Sequence, residues 1–189
     1  LIRGLNAMGH RVLFLERDVP WYASQRDLPD PEFCRLAYYS SADELTEKFE
    51  AAIASADAVI IGSYVPDGVA VIEAVAALSP KRLCFYDIDT PVTLAKFDRG
   101  DEEYLALEQI PIFDAYFSFS GGEVLTRLER GYGARQAIDL YCSVDAERYG
   151  NSGEGFQWDL GYLGTYSPDR QPTLERLLVE PARALPHLR

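Results

Sequence analysis

Short apolar runs alternate with stretches of helical periodicity along most of this 189-residue chain. At the start, Ile2, Leu5 and Met8 share one helical face, and Gly9 supplies a stop. Val12 to Leu15 is a short apolar run that its flanks mark as a strand. Glu16 to Tyr39 is aromatic and proline-rich, with Trp21, Tyr22, Pro29 and Pro31, and predicts a long irregular loop over the strand ends. Ser41 and Glu44 have the spacing of a capping box, followed by the helical face Leu45, Phe49, Ala52 and Ile53. Ala58 to Gly62 reads as a buried parallel strand. Pro66 suits a helix start, and Val69 to Leu78 is apolar almost all round. Arg82 to Tyr86 predicts another strand, and a mixed stretch to about Leu107 predicts helix. Ile112 to Phe119 predicts strand and Glu123 to Arg130 helix, stopped by Gly131 and Gly133. Ala137 to Tyr141 completes the series as a short strand.

Strand and helix in alternation predict an α/β fold, a doubly wound parallel sheet of Rossmann-like type. Residues 1–148 are expected to form this first domain. Gly150, Asn151, Ser152, Gly153 and Gly155 make 149–157 a polar linker. Beyond it, Trp158 to Leu163 predicts a strand, Gly164 to Gln171 a polar loop, and Pro172 the opening of an amphipathic helix with Leu174, Leu177 and Leu178. Residues 158–189 thus read as the first strand–helix unit of a second α/β domain, which cannot bury both faces alone. Leu1 is not a methionine, and a helix entering a strand in this class normally follows another strand. The expectation is a sequence cut at its front and at its back.

Composition changes this picture little: 48% hydrophobic and 25% charged residues are ordinary for a globular protein. A net charge of −12 gains nothing from counterion release on a nucleic-acid backbone, so no nucleic-acid partner is expected. No apolar run reaches the length of a membrane span, and no signal peptide is visible. Cys34, Cys84 and Cys142 are odd in number, widely spaced and form no zinc pattern, which favours a reducing, cytoplasmic compartment. Neither His10 nor His187 is a candidate base.

Ligands of open α/β sheets bind beyond the carboxyl ends of the strands, so four loops carry the candidate chemistry. Tyr64 lies in the loop after Gly62. Asp87 and Asp89 follow Tyr86 at a strand end and would point to one side if strand geometry persisted, as a divalent metal site, as a nucleophile with its acid/base partner, as a pair binding acceptor hydroxyls, or as a solvated Asx turn. Ser120-Gly121-Gly122 enters a helix directly, either admitting a ligand close to the backbone or letting Ser120 cap the helix. Gly164, Thr165 and Arg170 precede the last helix, where an arginine could neutralise a diphosphate or simply face solvent.

Several segments resemble known proteins. Phe119-Ser120-Gly121-Gly122, Cys142-Ser143-Val144-Asp145 with Arg148-Tyr149, and the run Tyr162 to Arg170 occur in the order seen in GT-B glycosyltransferases. Phe14 to Tyr22 and Tyr86 to Thr93 look like the CgeB-type spore-maturation proteins, which are classed as glycosyltransferase-like. The resemblance covers essentially the whole chain. It implies two facing doubly wound domains, acceptor on the first and nucleotide-sugar on the second. Cys142 to Asp145 matches a motif that usually reads asparagine-glycine-valine-aspartate. Gly164 matches the glycine closing the second domain's first strand. Arg170 falls where a phosphate-binding lysine is common, and Thr165 where many relatives have arginine. Tyr86-Asp87 stands where many have histidine-aspartate near the transferred sugar, and Tyr86 is no easy proton acceptor.

The resemblance therefore implies transfer of a sugar from a nucleoside-diphosphate donor to an acceptor. Asp87 and Asp89 would be the catalytic candidates, and Tyr64, Tyr86, Ser120 and Gly121 would hold acceptor or sugar. Gly164, Thr165 and Arg170 would hold the donor phosphates, with no metal and no cofactor. The first strand with its glycine-rich loop and most of a second domain are absent, so the fragment is expected to be inactive alone. Two alternatives stand beside this. One is an inactive binding or scaffold protein of the same fold. The other is a haloacid-dehalogenase-like phosphatase using Asp87 and Asp89, although Pro91 sits where that family's threonine is expected.

Overall fold

In the first unit parallel strands form at the apolar runs and at one further segment, and they assemble into two sheets instead of one. This computed structural model describes residues 1–146, 148–151, 153–185 and 187. The chain divides into two compact units, Leu1–Ser143 and Val144–Arg189.

The first unit opens with α1 (Ile2–Ala7), closed by Gly9 at φ 88°. The His10 and Gly9 N–H groups donate to the carbonyls of Leu5 and Asn6 at 3.0 and 2.9 Å, a Schellman closure that only a glycine-like φ allows. β1 (Leu13–Arg17) then pairs in parallel with β2 (Arg35–Tyr39), with Leu15 opposite Ala37. Between them lies the short helix α2 (Pro20–Ala23), with proline in its first turn. The expected loop from Glu16 to Tyr39 therefore contains a helical turn and a strand. The strand arises because β1 offers a partner from about twenty residues away, a non-local contact that outweighs the flanking prolines.

α3 (Ala42–Ser55) buries Leu45 and Ile53. Its Ser41 Oγ accepts from the Glu44 N–H at 3.1 Å, as a capping residue should. The Glu44 carboxylate turns instead to the Ser40 N–H and hydroxyl and to Lys48, which hold its pKa down at about 2. Ser41→Ala should lower stability by about 1 kcal/mol, the usual worth of such a cap, in a urea titration of the whole chain. An unchanged midpoint would show that Ser40 and Glu44 close the helix without it.

The four-stranded sheet follows: β3 (Val59–Gly62), β4 (Leu83–Asp87), β5 (Ala115–Ser118) and β6 (Ala137–Asp139), all parallel and in chain order. Between them run α4 (Gly68–Ala77), α5 (Thr90–Phe97) and α6 (Glu123–Tyr132). α4 starts two residues after Pro66, with Asp67 as its N-cap at φ 55°. The helix expected to reach Leu107 ends at Phe97, and a 3-10 turn spans Leu107–Ile112. Gly131 lies inside α6, and Gly133 at φ 77° alone makes its left-handed stop. One core holds both sheets: Tyr39, Ile61, Ile72, Phe85, Ile110, Phe113, Tyr116 and Leu128 are buried in it, and Leu15 packs against it.

The second unit has no strand among its described residues. The expected strand 158–163 is irregular, with Trp158 and Leu163 exposed. A strand needs a neighbour for its backbone groups, and this unit supplies none. The expected final helix is present as α7 (Gln171–Leu174), a π-helical stretch Glu175–Val179, and α8 (Glu180–Ala184). Among the described residues, no helix is long and apolar enough to cross a membrane.

Candidate functional site at the carboxyl edge of the four-stranded sheet

Strand register brings the candidate loops of the first unit to one level. Gly62 pairs with Tyr86, and Asp87 with Ser118. Ser63 Oγ then accepts from the Ile88 N–H at 3.1 Å, tying the β3 loop to the β4 loop.

β4 ends at Asp87, and that ending separates the two carboxylates. Asp87 is fully buried. Its Oδ2 accepts from the phenol of Tyr116 at 2.7 Å, and its Oδ1 from the Asp89 N–H at 3.1 Å. Burial pushes the Asp87 carboxyl above the usual range, and the Tyr116 and Thr93 hydroxyls with the Asp89 N–H work against that rise. The same burial, with the neighbouring carboxylate, drives the Tyr116 phenol far up.

Asp89 leaves the strand direction and becomes the N-cap residue of α5, with φ −151° and no side-chain bond to the helix. Its Oδ2 accepts from the phenol of Tyr64 at 3.2 Å. Tyr64 itself is held at φ 63°, an uncommon conformation for an aromatic residue. Its ring lies against Tyr104, with centroids 4.8 Å apart, and about half of its surface stays exposed (45%). Loss of hydration, then the neighbouring Tyr104 and Asp89, push the Tyr64 phenol up. Tyr104 continues the chain inward: its hydroxyl lies 2.7 Å from Thr93 Oγ1. Asp87 and Asp89 therefore face different surroundings, one a sealed network and the other a half-open rim.

Tyr86 is half-buried beside this rim. Ser120 does not cap α6; Gly122 does, at φ 66° and with no side-chain bond. The Ser120 backbone is instead fastened to Ser118, whose Oγ accepts from the Ser120 N–H at 3.1 Å and donates to the Ser120 carbonyl at 2.6 Å. A Cβ at Gly121 would run into the Tyr141 phenol, so the glycine lets that ring lie over the loop.

In the second unit, Gly164, Thr165 and Arg170 line one pocket of ≈ 180 Å³ together with Tyr162, Tyr166 and Ser167. Arg170 Nη1 donates to the Thr165 carbonyl at 3.4 Å, and the Tyr162 hydroxyl helps hold the guanidinium charged. A Cβ at Gly164 would come within 2.5 Å of the phenol oxygen of Tyr162, an exposed ring that would have to swing aside to admit it. Among the described residues, no group of three or more His, Cys, Asp or Glu side chains is arranged to hold a metal ion.

Sequence reasoning missed Thr93, Tyr104 and Tyr116, which position the site. A signal existed: a tyrosine within a buried strand must find a partner for its hydroxyl, and Asp87 was the nearest acidic candidate at a strand end. The fold and this edge define a parallel α/β protein with a hydroxyl- and carboxylate-bearing rim at its strand tips. No protein-family model, curated protein or solved structure matches the chain.

Proposed function

We propose that this chain serves glycosyl transfer, with the rim of the first unit binding a hydroxyl-rich acceptor or sugar and the pocket of the second unit binding a nucleoside diphosphate. The observation that carries the reading is the Tyr64–Asp89 pair, a half-exposed carboxylate and phenol 3.2 Å apart. A carboxylate accepts and a phenol both donates and accepts, so together they can read the paired hydroxyls of a sugar. The left-handed backbone of Tyr64 is the kind of local strain that gathers at ligand sites.

In transfer, the acceptor oxygen bonds to the anomeric carbon while the bond from that carbon to the diphosphate oxygen breaks. The acceptor proton needs a base, and Asp89 is the carboxylate with an open side. Asp87 has both oxygens engaged and no exposed surface, so its role here is to hold the β4 tip rigid under Asp89. The same burial counts against a phosphatase in which Asp87 attacks phosphorus, because such a nucleophile must reach its substrate.

The test is calorimetric titration of the whole chain with uridine and guanosine diphosphates, and separately with a panel of mono- and disaccharides. At least one of each class should bind. Asp89→Asn should weaken the saccharide by tenfold or more, since a hydrogen bond to a charged group contributes about 1.5–3 kcal/mol. Arg170→Ala should weaken only the diphosphate. Saccharide binding indifferent to Asp89→Asn, or no diphosphate binding at all, would remove the basis of the reading.

A further inference from the structure

The Asp87 carboxylate is sealed from solvent, and four polar groups meet it: Tyr116, Thr90, Thr93 and the Asp89 N–H. Three of these lead nowhere. Tyr116 donates to Oδ2, and its ring is fully buried. Thr90 Oγ1 lies 2.9 Å from Ser118 Oγ, which turns to the Ser120 carbonyl at 2.6 Å, and a carbonyl has no hydrogen to pass on. The Asp89 N–H is a backbone amide and does not release its hydrogen. Thr93 is different. Its hydroxyl acts on Asp87 and lies 2.7 Å from the Tyr104 hydroxyl. The Tyr104 ring lies 4.8 Å from that of Tyr64, and the two phenols act on each other. Tyr64 opens to solvent and donates to Asp89 Oδ2.

The donor directions along this branch follow from its inner end. An ionised carboxylate only accepts, so the Thr93 hydrogen points at Asp87 and the Tyr104 hydrogen at Thr93. The Tyr104 oxygen is then open to the Tyr64 hydrogen, and every hydroxyl is aligned from the rim inward. Burial raises Asp87 above the usual carboxylate range, which makes it a place for a proton to rest. The titratable groups facing it are Tyr116 from β5, Tyr104 from the segment after α5, and Asp89 from its own loop. Lys96 of α5 stands over the Tyr104 ring, 5.0 Å from its centroid, and pairs with Glu103 and Asp101.

We propose that Tyr64, Tyr104 and Thr93 form a proton relay between Asp89 at the rim and Asp87 inside. Asp89 Oδ2, having taken a proton from a bound hydroxyl, gives it to the Tyr64 oxygen as Tyr64 passes its own hydrogen to Tyr104. Tyr104 passes its hydrogen to Thr93 Oγ1, and Thr93 passes its own to the Asp87 carboxylate. One hydrogen moves at each link, no hydroxyl is left ionised, and Asp89 is again a carboxylate able to accept. The proton leaves by the same links in reverse. Asp87 thus does more than hold the β4 tip. The use of the relay in glycosyl transfer rests on the reading above; its path does not.

The experiment uses the whole chain with its tyrosines carbon-13-labelled at Cζ, in equal parts of light and heavy water. A hydroxyl that exchanges slowly there splits its carbon line, and one that exchanges fast gives a single averaged line. The relay is the exit for the Tyr116 hydrogen, so in the parent Tyr116 and Tyr104 should both be averaged. Thr93→Val should leave Tyr104 averaged and split Tyr116, whose exchange slows by about tenfold or more once local opening is its remaining route. Tyr64→Phe changes only a half-exposed ring and should slow both. Damage to the fold would speed exchange, so a slowing at these hydroxyls cannot come from it. A split Tyr116 line in the parent would overturn the proposal. So would an averaged one in Tyr64→Phe with the Phe85 and Tyr116 amides as protected as before. No ligand is needed, so a failure to bind saccharide would remove the transfer reading and leave the relay standing.

Discussion

Gly68→Ala is expected to destabilise the first unit by about 3 kcal/mol or more, the upper end of what overpacking a tight site costs. Gly68 is the first residue of α4 and is buried. A methyl group there would stand 2.9 Å from the Cα and 3.0 Å from the carbonyl carbon of Tyr104, and closer still to its carbonyl oxygen. These are backbone atoms, so no rotamer change relieves the clash. The Tyr104 segment cannot retreat cheaply, because Gln109 Nε2 donates to the Val69 carbonyl at 2.9 Å and its Oε1 accepts from the Ala106 N–H at 3.1 Å. Alanine's better helix propensity returns at most about 1 kcal/mol, less than the clash removes. The midpoint of thermal unfolding should fall by roughly 6–12 °C, the shift that such a loss produces in a chain of this size. Saccharide binding should weaken as well, since displaced Tyr104 no longer supports the Tyr64 ring. A variant as stable as the parent would mean that α4 and the Tyr104 segment are not in the contact described.

The sequence pattern carried the four-stranded sheet and its helices because each strand there is a local apolar run and each helix has a local stop. Gly9, Ser41 and Gly133 act within a few residues of where they stand, and all three were readable. What failed was non-local. β2 exists because β1 pairs with it, and nothing in Arg35 to Tyr39 outweighs Pro29 and Pro31 on local grounds. Trp158 to Leu163 has the composition of a strand but no partner in its unit, so composition misled. The division of the parallel strands into two sheets has no local signature. Within the site, the rim residues follow from the rule that ligands meet parallel sheets at the strand ends. The separation of Asp87 from Asp89 was not visible, because it depends on where β4 stops and on Tyr116 reaching across from β5. Gly68 carries no local signal for the same reason, since its constraint comes from a backbone thirty-six residues further on.

Tyr116→Phe should cost about 1–3 kcal/mol near neutral pH, and its cost should grow as pH rises. The substitution removes the donor that lies 2.7 Å from Asp87 Oδ2 and leaves the buried carboxylate one bond short. Burial already raises the folded-state pKa of Asp87 above its ordinary value of 3.8. Between that value and the folded pKa, the folded state holds more protons than the unfolded one. Stability from this group is therefore complete below about pH 3.8 and is lost as pH rises through the folded pKa. Tyr116 favours the ionised form, so without it the folded pKa climbs further and the loss extends to higher pH. At pH 4 the variant should fall short of the parent by the worth of a neutral hydrogen bond, about 1 kcal/mol. At pH 8 it should fall short by that of a charge-assisted one, about 1.5–3 kcal/mol. Urea titrations of both proteins across this range give the difference directly, because every other titrating group cancels. A second pair, Asp87→Asn with and without Tyr116→Phe, has no carboxyl to titrate at this position, so its difference should be flat with pH. A gap between parent and Tyr116→Phe that stays constant or narrows toward pH 8 would show that Asp87 is not ionised against Tyr116. The sealed base beneath Asp89 would then have to be rigid for another reason.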